Sequence, residues 1–131
     1  ALALMSTLLI QLYIALALHG GESMDGYAPR YAKGVMERVV KNRDLPYAAC
    51  NVSSAYYGIG TEVWVVSWTT YQVRRCRVAD VSHPRDVARH RRTKRIIESS
   101  FVDAKWICGL EHMHDRPERC PVTVLRIEGE P

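Results

Sequence analysis

The chain has 131 residues, 47% of them apolar and 24% charged, with a formal net charge of +4. That balance excludes an intrinsically disordered chain and fits one small domain around a single core. One Phe stands against seven Tyr and three Trp, so most aromatic area is amphipathic and suits a polar groove.

Residues 1–18 carry no charge, and the first acidic residue is Glu22. A run of this length is a signal-peptide core, with Ala15-Leu16-Ala17 as a small-residue cleavage site, or a short membrane anchor; the alternative is a buried globular helix. Both export readings predict a hydrophobic helix over 1–19 and export of the remainder, either secreted, in the cell envelope or tethered to the membrane through residues 1–18. Gly20-Gly21-Glu22-Ser23 opens a flexible linker over 20–26. The folded domain is expected from 27 to 128.

Residues 27–31 form a short extended piece interrupted by Pro29. A helix follows over 35–43, with Glu37 four residues before Lys41, and Leu45-Pro46 stops it. The stretch 50–57 is polar and predicts irregular structure, and Gly58-Ile59-Gly60 marks a turn. The strongest strand runs over 61–68, where Val, Thr and Trp dominate. Thr69-Thr70-Tyr71 turns it into a return strand over 72–81. Ser82-His83-Pro84 breaks that strand. The loop 85–93 holds a helix-like piece over 86–91, and a short strand covers 95–98. Ser99 or Ser100 can cap the next helix, with Asp103 near its positive end and Gly109 at its stop. A polar loop, 110–119, leads to a final strand over 122–127. Strands dominate, helices are short and no repeat is visible, which describes a mainly β small barrel with short helical inserts.

Cys50, Cys76, Cys108 and Cys120 are widely spaced, and the absence of a C-x-x-C pair argues against a zinc knuckle or a thioredoxin-type site. Three pairings are open. Cys108–Cys120 is favoured because it staples a helix end to the next strand, and Cys50–Cys76 then follows by elimination. The alternative is four buried thiols in a reducing compartment. Disulfides in a small domain agree with export.

Basic residues crowd one segment: Arg74, Arg75, Arg77, Arg85, Arg89, Arg91, Arg92, Lys94 and Arg95, opposed by Asp80 and Asp86. An anionic polymer held between Arg85 and Arg95 is one reading, and a solvated loop is the other. Aromatic residues do not interleave with these cations, so a nucleic-acid role is not expected.

Two carboxylates stand at strand ends, Asp80 and Glu98. Two acids in one cleft suit general acid catalysis on a glycosidic bond. The structural alternatives are a turn-stabilising Asp80 and a helix-entry Glu98. His83, three residues beyond Asp80, either orients it or contacts sugar, or is a surface turn residue. Arg95 sits beside the second acid as a candidate substrate contact. Tyr27, Tyr56, Tyr57 and Trp68 can stack on sugar rings, whereas Trp64 and Trp106 read as core. Glu111, His112, His114 and Asp115 alternate within one loop with no distant further ligand, so no metal is expected. No phosphate-cradling loop is present, and no cofactor is expected.

The ordered set Gly60-Thr61-x-Val63-x-Val65, Val78-x-Asp80, Arg95-Ile96-Ile97-Glu98-Ser99-Ser100 with a short helix to Gly109, and Pro121-Val122-Thr123-Val124 resembles the double-psi β-barrel domain of rare lipoprotein A-like proteins. Expansins, barwin and related endoglucanases share that fold. The resemblance covers roughly 27–127. It implies a six-stranded double-psi β-barrel with a polysaccharide groove across one face, acting on peptidoglycan glycan strands in the wall-acting members. It implies Asp80 as the acid of a lytic transglycosylase and Glu98 as the second acid. The chain departs from the pattern in four places. No His occurs between Ser53 and Gly58, the Gly of the family's Asp-Arg-Gly-Pro pattern is absent after Asp80, the basic insert from Arg85 to Lys94 is long, and the family's opening strand is reduced to Gly26-Tyr27-Ala28-Pro29. A non-catalytic binding or structural module with a basic loop is the alternative to an enzyme.

Overall fold

The computed structural model describes residues 23–109 and 120–127. The hydrophobic segment 1–19, the start of the expected linker and the loop bearing Glu111, His112, His114 and Asp115 lie outside the described residues. Six strands and three short helices make up the described chain: β1 (Ser23–Ala28), α1 (Val35–Asn42), β2 (Asn51–Ser54), β3 (Glu62–Ser67), β4 (Val73–Val81), α2 (Pro84–Arg92), β5 (Ile97–Ser99), α3 (Ala104–Cys108) and β6 (Cys120–Arg126). Among the described residues no helix is long and apolar enough to cross a membrane.

The strands form one sheet in the order β1-β6-β3-β4-β2-β5. Its two edges come together, so the sheet is a nearly closed barrel. At this seam the Tyr27 N–H donates to the Lys94 carbonyl (2.8 Å) and the Ile96 N–H to the Tyr27 carbonyl (3.2 Å). Past Pro29, the Ser99 and Tyr31 N–H groups continue the junction with the Pro29 and Ser99 carbonyls (2.8 Å each). Closure satisfies backbone groups that two open edges would leave unpaired. Gly26 permits the approach, because a Cβ there would lie 2.5 Å from the Lys94 carbonyl oxygen.

β3 and β6 are rich in valine because both line the interior. Val63, Val65, Val122 and Val124 are fully buried and pack with Val52, Val78, Ile97, Trp106 and Ile107. Trp64 differs from its expected core role. It is half-buried and packs with Trp68 and Val73 on a second small cluster, Val66 and Leu125. Trp106 is core, and its indole N–H donates to Asp103 (3.0 Å). The Asp103 N–H in turn donates to the Ser100 hydroxyl (3.0 Å), so Ser100 organises the turn before α3.

Both favoured disulfides are present, Cys50–Cys76 and Cys108–Cys120. The first ties the entry of β2 to the middle of β4, and the second ties the end of α3 to the start of β6.

Two further expectations are corrected. Ser23 to Gly26, expected as linker, form the first part of β1 and pair in register with Val122 to Leu125 of β6. More consequentially, the stretch expected to be irregular contains β2, which runs parallel to β4 and antiparallel to β5. Its sequence, Asn-Val-Ser-Ser, carries a weak β signal because small polar side chains occupy a fully covered site. Neighbours on both sides impose the extended conformation, and the Ser54 hydroxyl ends it by accepting from the Tyr56 and Tyr57 N–H groups (2.9 Å each).

Candidate functional site

β2 is the element that joins the two carboxylates. Ser53 is the register partner of Asp80 on one side and of Glu98 on the other, next to a register shift between Val52 and Ser53. Register partners project to the same face of a sheet. The backbones of Asp80 and Glu98 are therefore roughly two strand spacings apart, about 9 Å. Both side chains line one open cavity of about 540 Å³.

Asp80 is held on all sides. Tyr31 donates its hydroxyl to Oδ2 (2.9 Å), Arg43 donates to Oδ1 (2.7 Å), and the Val81 N–H also reaches Oδ1 (3.0 Å). The last bond is the turn-stabilising contact expected of an Asp at a strand end, and it coexists with a position in the groove. Tyr31 is pushed well above the ordinary phenol range, chiefly by burial, and by its bond to Asp80. It stays a hydrogen-bond donor.

Glu98 has a different environment. Burial raises its carboxyl above the ordinary 4.5, and the negative charges of Asp80 and Asp86 add to the effect. His90 and Arg95 oppose the rise without cancelling it. The His90 Nδ1 lies 3.7 Å from Glu98 Oε1 and 2.8 Å from the Ser82 hydroxyl. His90 is buried because α2 lays one face over the groove, with Asp86 and His90 one turn apart.

α2 starts as its sequence directs. Pro84 stands in the first turn, where a missing N–H costs nothing, and His83 accepts from the Arg85 N–H through Nδ1 (3.2 Å). His83 thus caps the helix and lines the groove with Arg95. The expected site residues divide here. Asp80, Glu98, His83 and Arg95 share the groove. Tyr27 and Trp68 line a separate cavity of about 420 Å³ with Asp25, Lys94 and Thr123. Tyr57 packs against the main core and lines neither cavity.

Tyr31, Arg43 and His90 also line the groove and carried no expectation. His90 had one legible signal, its helical spacing from Asp86. Arg43 reaches Asp80 across 37 positions and Tyr31 across 49, and no local pattern announces contacts of that range.

The basic segment does not act as one patch. Arg77 is buried and bonds the Pro46 carbonyl and the Asn51 side chain. Arg74 stacks on Trp106 and Arg91 on Tyr56. Arg85, Arg89 and Arg92 remain exposed on α2, with Arg89 paired to Asp86 (3.0 Å).

Compared with family models, curated proteins and solved structures, the chain matches none.

Proposed function

We propose that this chain is an exported, wall-associated barrel of double-psi connectivity whose Asp80–Glu98 groove binds glycan strands of the peptidoglycan type and cleaves them as a lytic transglycosylase. The observation that carries the reading is the pair of carboxylates on either side of Ser53, facing one open groove, with Glu98 held towards its protonated form. Support for the double-psi connectivity comes from the parallel β2–β4 pair and the parallel bridges at the seam, within an otherwise antiparallel sheet. Two disulfides agree with an oxidising compartment.

In this reading Glu98 is the proton donor. Its proton passes to the glycosidic oxygen as the bond to the anomeric carbon breaks. A hydroxyl of the same sugar then closes on that carbon, and its proton returns to the Glu98 carboxylate. The product is an anhydro-sugar end, and no water is consumed. Asp80, fixed by Arg43, Tyr31 and the Val81 N–H, supplies a stationary negative charge beside the cation-like anomeric centre. His83 and Arg95 hold sugar hydroxyls, and Arg85, Arg89 and Arg92 give the rim an affinity for acidic groups on the polymer.

The second reading is a binding module. Both Asp80 oxygens are engaged by protein donors, so proton donation rests on Glu98 alone, and a groove in which Glu98 does not donate would bind strands without cleaving them. The two readings separate on one measurement. Glycan strands incubated with the purified protein should acquire anhydro-sugar ends, detected by mass spectrometry, and Glu98→Gln should lower their formation at least about 100-fold, as loss of a general acid does. Strand binding without product, in wild type and across acidic to neutral pH, would leave the binding module standing.

A further inference from the structure

The cavity formed by Tyr27 and Trp68 lies outside the acidic groove, yet the two are neighbours. Tyr27 and Arg95 are register partners in the parallel bridge at the β1–β5 seam, so their side chains leave the barrel on the same face. Tyr27 lines the aromatic cavity, and Arg95 lines the groove. Lys94 and Arg95 repeat the arrangement along the chain. Lys94 has a left-handed backbone (φ 57°) and serves the aromatic cavity, and the next residue serves the groove. One pair of residues across the seam and one peptide along it separate the two cavities.

The aromatic cavity has the chemistry of a neutral sugar site. Tyr27 is 36% exposed and Trp68 half-buried. The indole edge is fixed, because its N–H donates to the Thr123 hydroxyl (2.8 Å), which in turn donates to Asp25. Asp25 and Lys94 contribute one charge of each sign, so the cavity offers hydrogen bonds without favouring an ion of either charge. Aromatic faces with a few placed polar groups match a pyranose ring, which has an apolar C–H face and a hydroxylated edge.

We propose that the Tyr27–Trp68 cavity is a distal subsite for a neutral sugar unit of the same strand whose scissile bond lies in the Asp80–Glu98 groove, the strand crossing the barrel at the Tyr27–Arg95 seam. The proposal rests on the glycan reading of the groove. It adds a length requirement, since a short fragment occupies the groove alone and a longer strand occupies both cavities. Linking two weak sites through one ligand raises affinity without new contacts at either.

The test uses glycan strands freed of peptide and fractionated by length, titrated calorimetrically into the oxidised protein. Affinity is expected to rise with length. Tyr27→Leu, which keeps apolar bulk but removes the planar ring, is expected to shrink the advantage of long strands over short ones about tenfold. Should that variant fail to fold, the Trp68 indole N–H resonance of the wild-type protein serves instead, and it should shift with long strands and not with short ones. Strand binding without length dependence, length dependence that survives Tyr27→Leu, or an unmoved indole signal overturns the distal subsite while leaving the groove's function intact. No strand binding at any length overturns both.

Discussion

Burial and charge compete at Glu98, and burial prevails. The native carboxyl therefore binds its proton more tightly than the unfolded chain does. Where the folded state holds more protons, stability falls as pH rises. The window opens near the ordinary value of 4.5 and extends upward through the raised native value. Below the window the two states are equally protonated and Glu98 costs nothing. Above it, the buried carboxylate is a standing cost. Glu98→Gln removes the ionisation, so its melting temperature relative to wild type should be higher near neutral pH than in mild acid. A melting difference that does not change with pH would mean that Glu98 titrates like a solvated carboxylate. The two acids were legible as residues, because each stands at a strand end next to a break. Their division of labour was not. It depends on Tyr31, Arg43 and His90, which approach from other elements and differ in how much water they exclude.

At the scale of elements, the seam and β2 decide the geometry. Barrel closure brings Tyr27 against Lys94 and Ile96, and Gly26 is what allows the backbones to meet. Gly26→Ala places a methyl group 2.5 Å from a carbonyl oxygen, and backbone atoms yield less than flexible side chains do. The expected loss is about 1–3 kcal/mol in urea denaturation, with faster amide exchange at Tyr27 and Ile96 than elsewhere in the sheet. A loss below about 0.5 kcal/mol, the range of neutral surface changes, would show that the junction accommodates a side chain. The long strands were visible from their valine-rich sequences, and the helix-like piece expected over 86–91 lies inside the observed α2. β2 was invisible because its residues are small and polar. Such residues become a strand only when ladders on both sides satisfy their backbone groups.

At the scale of the whole molecule, two cross-links hold a small core together. Cys50–Cys76 and Cys108–Cys120 close sequence separations of 26 and 12. The chain-entropy model assigns them about 3.5 and about 3 kcal/mol. Domains of this kind are stable by roughly 5–15 kcal/mol in total, so reduction should remove much of the margin. Far-ultraviolet circular dichroism during heating should show the reduced protein melting well below the oxidised one, and replacing either pair by Ser should give an intermediate result. Equal melting of the oxidised and reduced forms would place stability in the core alone.

By itself, the sequence determined the β-dominated class, the two long strands and the two acids, and it favoured, among three open pairings, the disulfides that form. The first three follow from local periodicity or from a break in it. The tertiary structure alone decided that a polar stretch becomes the strand joining those acids, that Tyr31 and Arg43 secure one acid while burial raises the other, and that Tyr27 and Trp68 belong to a neighbouring cavity. These features depend on contacts between residues far apart in the chain and on the exclusion of water. Neither exists until the sheet closes.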